Sequence, residues 1–324
     1  MVACTASNWH HFPAEVIISG GSEGIPGAEG AEAGAPFRGR RDEQTAMIAV
    51  DSTLSARLYC AVDMRDVETA AVGGGIAAVS STRSPAKTTC NEDTAALIPF
   101  NDRCAVLAVA DGVGGVRSGE IAASIAVETL SESLAAANGQ TELLRTAILD
   151  GIEAANRAVQ QRGIGSATTL AVVEIRERVV RPYHVGDSMI LVVGQRGKVK
   201  LQTVCHSPVG FAVESGFLDE REAMHHEDRH LISNFVGSPE MRIEIGAPLT
   251  MAAWDSLLIA SDGLFDNLHI PEIVERIRKG PLDAGVRKIV NDATARMKRP
   301  ANGRPSKPDD LTIVAFRSPP KRGR

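Results

Sequence analysis

Acidic side chains stand at the ends of apolar runs through much of this chain. Asp111 closes CAVLAVA (104–110) and opens DGVGG. Asp187 follows YHVG in a Gly-Asp-Ser turn. Asp262 follows LLIA within SDGLFD, with Asp266 four positions on. Asp309 and Asp310 precede LTIVAF, and Glu92 and Asp93 lie upstream in NED. A carboxylate at a buried strand end is costly unless it is hydrogen-bonded, paired or bound to a metal. Several converging acids also raise one another's pKa values. A divalent cation removes that cost. An all-oxygen ligand set without His or Cys selects a hard ion, Mn²⁺ or Mg²⁺. The glycines after Asp111 let the backbone bend sharply and bring a backbone carbonyl onto an ion. Two ions about 3.5–4 Å apart can share a carboxylate and hold a water that attacks phosphorus in line, with no protein nucleophile. Each motif alone reads as an ordinary turn, so the information lies in the ordered set.

The elements around these acids are legible from periodicity. CAVLAVA reads as a buried strand. Residues 118–138 carry Ile121, Ile125, Leu130 and Leu134 on one stripe beside Ala122 and Ala126, the pattern of an amphipathic helix. Thr141 is placed to N-cap a second helix with Leu144, Ile148, Ile152, Ala155 and Val159 inward, ending at Gly163. TTLAVVEI (168–175), VVRPYHV (179–185), MILVV (189–193), WDSLLIA (254–260) and LTIVAF (311–316) read as strands. GQRG (194–197) reads as a hairpin turn. PEIVERIRKG and AGVRKIVNDATARM read as helices, with Pro271 suited to a first turn. Grouped strands and paired helices point to α+β layers rather than strict βαβ alternation.

Composition narrows the classes. The 324 residues are 44% hydrophobic, 23% charged and only 4% aromatic, with a net charge of −5. Few aromatics and a negative balance argue against nucleic-acid binding. No apolar run approaches the roughly 20 residues of a membrane span. Five cysteines, Cys4, Cys60, Cys90, Cys104 and Cys205, form no CxxC and suggest neither a zinc knuckle nor a disulfide framework. The expected compartment is the reducing cytoplasm, with the Arg and acidic mix before residue 70 leaving a mitochondrial leader as the alternative. Residues 1–69 read as an N-terminal extension, at least 1–44 being too poor in large apolar side chains to order. Residues 70–318 read as the folded domain and 319–324 as a basic tail, the whole expected to be a monomer.

The order NED (91–93), VADGVGG (109–115), GSATTL (165–170), HVGDS (184–188), IASDGLFDNL (259–268) and DDLTIVAF (309–316) resembles the metal-dependent serine/threonine phosphatases of the PP2C (PPM) family, the bacterial members most. The likeness spans about residues 70–318. It implies a four-layer α/β/β/α sandwich, two antiparallel sheets flanked by helices, and removal of phosphate from phosphoserine and phosphothreonine in protein partners. It implies two Mn²⁺ or Mg²⁺ ions, with a third in some members. On that resemblance Asp111 bridges both metals, and Gly112 and Glu92 serve the second. Asp262 and Asp309 complete the first. Asp93 orients bound water, and Asp187 and Asp266 hold the looser third ion. His206 to Gly237 contains the flap beside the substrate. The pattern departs in three places. Thr88 stands where many members have a phosphate-binding Arg, so that role falls to Lys87 or Arg83, which lies near it. Val113 stands where some members have a His, and Asp310 where Asn is usual.

Two rival readings compete. His226-Glu227-Asp228-Arg229-His230 matches HExxH, in which two His one helical turn apart bind zinc and Glu is the base of a peptidase. A phosphoprotein-binding scaffold without turnover is the second, prompted by the missing Arg. The retained acids oppose it, since a dead site gains nothing from clustered carboxylates. No Cys has an Arg six positions later, which excludes a CX5R thiolate mechanism.

Overall fold

The computed structural model describes residues 15–16, 55–113, 118–163, 165–301 and 303–318. Period-two alternation organises the centre. Along Cys104–Val113, Ala105, Leu107 and Val109 face one apolar cluster while Val106, Ala108 and Ala110 face another. A strand buried on both faces needs a layer on each side. The first layer is a second sheet. Its strand Leu311–Arg317 alternates likewise, with Val314 and Phe316 toward the shared core and Leu311, Ile313 and Ala315 away from it.

The first sheet runs Glu15–Val16, Arg57–Cys60, Asp93–Pro99, Cys104–Val113, Leu170–Arg176, Val179–Val185 and Glu244–Ile245. Leu249–Thr250 also pairs with Val179–Val185, and Ala167–Thr168 with Cys104–Val113. The second sheet runs Val199–Gln202, Met189–Val193, Ser256–Ala260, Leu311–Arg317, Gly75–Thr82 and Glu68–Val72. Apart from Glu15–Val16, which lies parallel to Arg57 and Leu58, every strand pairing named here is antiparallel. Helices Gly119–Ala136 and Leu144–Gln161 cover the outer face of the first sheet. Helices Ile270–Ile277 and Leu282–Lys298 cover the second. The result is the four-layer α/β/β/α sandwich expected from the motif order.

Three local details differ from the periodicity reading. In Gly119–Ala136 the wholly buried face is Ala122, Ala123, Ala126, Val127, Leu130 and Leu134, while Ile121 and Ile125 are only partly buried. The neighbouring helix approaches this one at Leu130, where a Cβ on Gly151 would lie 2.9 Å from Leu130 Cδ1. Thr141 does not cap an α-helix. It opens a 3₁₀ turn, Thr141–Leu143, and its hydroxyl accepts from Asn101 Nδ2 at 3.0 Å. The folded body also begins before residue 70, since Leu58 and Tyr59 are buried in the first sheet. Of residues 1–44 only Glu15–Val16 is described, so the disorder expected there, like the basic tail at 319–324, lies outside the described residues. Cys60, Cys104 and Cys205 are free thiols, whereas Cys90 is disulfide-bonded, which the cysteine spacing does not forecast. No helix among the described residues is long and apolar enough to cross a membrane.

Candidate metal centre

Strand register brings the first two acids together. Asp93 opens one strand and pairs with Asp111, near the end of its antiparallel neighbour. The backbone of Asp111 is clasped from the far side. Its N–H donates to Thr169 Oγ1 at 3.0 Å, and its carbonyl accepts from Thr168 Oγ1 and Thr169 N, each at 2.8 Å. Thr169 Oγ1 also lies 2.6 Å from Ser188 Oγ, which ties GSATTL and HVGDS to the Asp111 backbone. Asp93 is fully buried. Its Oδ2 accepts from Ser261 Oγ at 2.8 Å, and its Oδ1 has no hydrogen-bond partner.

Beyond Asp111 the chain returns into Gly119–Ala136, and glycine is required on both sides of the approach. A Cβ on Gly112 would lie 2.3 Å from the Gly119 carbonyl carbon. A Cβ on Gly119 would lie 2.8 Å from Gly112 O and 2.9 Å from Glu92 Oε1. Those two oxygens therefore face one small space. Gly263 does the same for the other motifs, since a Cβ there would meet Asp310 O at 1.9 Å. SDGLFD and PDDLTI thus sit back to back, and Asp262 and Asp309 are near enough to Asp111 to push its carboxyl up.

Asp310 has a different job from its neighbour. It is buried, and its two oxygens accept from Ser84 N at 2.7 Å, Glu92 N at 2.8 Å and Lys87 Nζ at 2.8 Å. Lys87 also pairs with Glu92. Its ammonium lies at the edge of the centre, engaged by two carboxylates rather than free toward an incoming anion. Arg83 is turned to Asp63 and to the Thr89 carbonyl.

Asp187 and Asp266 complete the group. Asp187 is buried, with Oδ1 unpartnered. It follows Gly186, whose φ of +105° and 2.7 Å approach to the Thr169 side chain exclude a side chain there. Sequence reasoning did not single out Lys307. Its Nζ stands 2.5 Å from Asp262 Oδ2, 2.9 Å from Asp266 Oδ2 and 3.3 Å from Asp309 Oδ2. The signal was present as a lone lysine two residues before Asp309, but a lysine beside a metal aspartate has no established meaning by itself.

The electrostatics match a cluster built around cations. Burial, then Asp93, Asp262, Asp309 and Asp187, pushes the Asp111 carboxyl well up. Burial and then Asp262 raise Asp187 to about 8 and Asp309 to about 6, both from 3.8. Burial and Asp310 raise Asp93, while burial and Asp262 raise Asp266. For Lys307, burial acts downward, but Asp262, Asp266 and Asp309 override it and hold the ammonium above its usual range. Asp93 Oδ1 and Asp187 Oδ1 are buried carboxylate oxygens with no hydrogen-bond donor of their own. That donor set fits hard divalent ions.

A cavity of about 470 Å³ opens beside Asp187, Asp262 and Asp266 and is walled by Val209, Met224 and Arg229 of the flap. The HExxH pattern lies in this flap, but as a 3₁₀ turn, Glu227–His230, with His226 outside it as the cap. His226 Nδ1 accepts from Asp228 N at 3.1 Å, and His230 Nδ1 pairs with the Glu227 carbonyl at 2.8 Å. The two rings therefore do not share one face of an α-helix, as a zinc peptidase requires.

Among the described residues, the His, Cys, Asp and Glu side chains whose ligand atoms all fall within 4.8 Å of one another are His184, His206 and Glu244. This group too was missed in the sequence. His206 Nδ1 accepts from Gly186 N and Asn234 Nδ2, so Nε2 carries the proton and donates to Glu244 at 3.0 Å. His184 Nε2 donates to the Val204 carbonyl at 2.9 Å, and the two rings stack 4.4 Å apart. His206 thereby fastens the flap base to Gly186, and its proton sits on the nitrogen a metal would need.

The family description Protein phosphatase 2C matches residues 82–295. A putative protein phosphatase 2C-type of Streptococcus pyogenes is 30% identical over 201 residues, covering 58% of this chain and 79% of its own. The PPM Ser-Thr phosphatase MsPP of Mycobacterium smegmatis, solved with cacodylate, is 27% identical with a TM-score of 0.62. That alignment covers 74% of this chain and 97% of MsPP. The catalytic domain of the phosphatase PstP, solved with two manganese ions, is 23% identical with a TM-score of 0.60, covering 74% and 96%, a likeness of fold.

Proposed function

The chain belongs to the PP2C family of protein serine/threonine phosphatases, and we propose that it hydrolyses phosphoserine and phosphothreonine esters in proteins through a divalent-metal centre built on Asp111. The observation that carries this reading is the convergence on Asp111. Asp93 pairs with it across the strands, Asp262, Asp309 and Asp187 are near enough to raise its carboxyl, and Gly112 O and Glu92 Oε1 stand 2.8 and 2.9 Å from where a Gly119 Cβ would lie. Glu92, Asp111 and the Gly112 carbonyl would hold one ion, and Asp111, Asp262 and Asp309 the other. Mn²⁺ or Mg²⁺ bound there would supply Lewis-acid activation of a water and neutralise charge on the phosphoryl oxygens.

The residues of the chain itself do the positioning. Thr168 and Thr169 hold the Asp111 backbone, which fixes the point from which its carboxylate reaches into the centre. Asp93, fixed by Ser261 at one oxygen, presents the other as a proton acceptor beside Asp111. Asp310 and Lys87 fix the backbone and side chain of Glu92. The flap cavity borders the acids and offers room for the residues flanking the phosphorylated one.

The test is release of phosphate from p-nitrophenyl phosphate and from phosphothreonine peptides with added Mn²⁺. Turnover should be abolished by EDTA and fall at least a hundredfold in Asp111→Asn, roughly 2.7 kcal/mol or more of lost transition-state stabilisation. Full activity in EDTA, or an Asp111→Asn variant as fast as the parent, would overturn the proposal. A binding-only scaffold would hold Mn²⁺ and phosphopeptide without turnover.

A further inference from the structure

We propose that Lys307 is a positioning residue that acts as an internal counter-cation, its ammonium competing with divalent ions for the carboxylates of Asp262, Asp266 and Asp309 and so weakening metal binding on that side of the centre. The inference rests on the metal reading of the preceding subsection.

The three carboxylates surround the ammonium at 2.5, 2.9 and 3.3 Å, and the side chain is largely buried among them. The placement is built into the backbone. Lys307 N donates to Asn267 Oδ1 at 2.9 Å, and Asn267 Nδ2 donates to the Lys307 carbonyl at 2.8 Å and to the Gly263 carbonyl at 2.9 Å. Asn267 is wholly buried, and its own carbonyl accepts from Arg296 Nη1 at 2.7 Å. Next door, Ser306 Oγ donates to the Arg296 carbonyl at 2.9 Å. The chain is thus clamped on both sides of the lysine, which confines where a flexible stem can place its charge.

Two of the three carboxylates, Asp262 and Asp309, are those assigned to one of the divalent ions. An ammonium already in contact with them satisfies part of their charge and repels an arriving cation. Removing it returns those oxygens to the divalent ion and leaves the metal-free protein with buried acids stripped of their contacting ammonium. A residue that merely braces the fold would act in the opposite direction, because its loss would loosen the ligands and weaken metal binding.

The experiment is Mn²⁺ titration by isothermal calorimetry on the full chain and on Lys307→Met, Lys307→Gln and Lys307→Arg, with melting temperatures in EDTA and in saturating Mn²⁺. Met and Gln should tighten the weaker Mn²⁺ step at least tenfold. They should lower the EDTA melting temperature and melt near the parent when loaded. Arg, which keeps the charge, should retain the parent's affinity. Unchanged or weaker Mn²⁺ binding in both Met and Gln would overturn the inference while leaving the metal centre standing. Asp111→Ala separates the two ideas: if it binds Mn²⁺ like the parent, the metal centre itself is wrong and the counter-cation role falls with it.

Discussion

Asp187 offers the sharpest quantitative check on the electrostatic picture. Its carboxyl is buried beside Asp262 and Asp266 and is raised from 3.8 to about 8 in the absence of metal. In the unfolded chain the group ionises near its ordinary value, so the folded state holds the proton over the window between those values. A state that holds the extra proton loses stability as pH rises, because deprotonation draws the equilibrium toward the unfolded chain. At about 1.4 kcal/mol per pH unit, Asp187 alone removes ~3 kcal/mol between about pH 5 and pH 7, and ~5–6 kcal/mol in all from its ordinary ionisation near about pH 4 up to about pH 8. That is comparable with the whole stability of many domains, about 5–15 kcal/mol. Urea unfolding in EDTA across this range should show the decline, and Asp187→Asn, which cannot ionise, should flatten it by several kcal/mol. Saturating Mn²⁺ should restore the parent's stability most at the upper end of the range. The reasoning is refuted if parent and Asp187→Asn lose stability with pH at the same rate in EDTA.

Other perturbations follow from single contacts. Gly112→Ala forces a methyl to 2.3 Å from the Gly119 carbonyl carbon, so the two backbones must part. It should cost roughly 1–3 kcal/mol in unfolding experiments and lower turnover at least tenfold. Thr169→Val strips the hydroxyl that accepts from Asp111 N and pairs with Ser188. It should cost about 1–3 kcal/mol and reduce kcat more than it changes KM, measured on p-nitrophenyl phosphate.

Much of this protein is written locally. The alternation in CAVLAVA and LTIVAF marks strands with two buried faces, and such strands force outer layers on both sides. The acids at strand ends, with glycine after Asp111 and Asp262, read as candidates for a cation site. It is the resemblance of their ordered motifs to the PP2C family that implies one centre for Asp111, Asp262 and Asp309 before any coordinates are known. Gly112 and Gly263 need to be glycine for reasons the structure states in ångströms, yet their place beside the acids is visible in the string itself. Other features are absent from local pattern. Whether HExxH forms an α-helix depended on the turns around it, and the flap folds it as a 3₁₀ turn. The fully buried face of Gly119–Ala136 includes Ala123 and Val127, while Ile121 and Ile125 are only partly buried. Lys307 looks like any surface lysine until Asn267, 40 residues earlier, clamps its backbone beside Asp262. Periodicity reports which face of an element is apolar. It carries no information on which charge from a distant loop will be folded against which acid, because that is settled by the packing of whole layers.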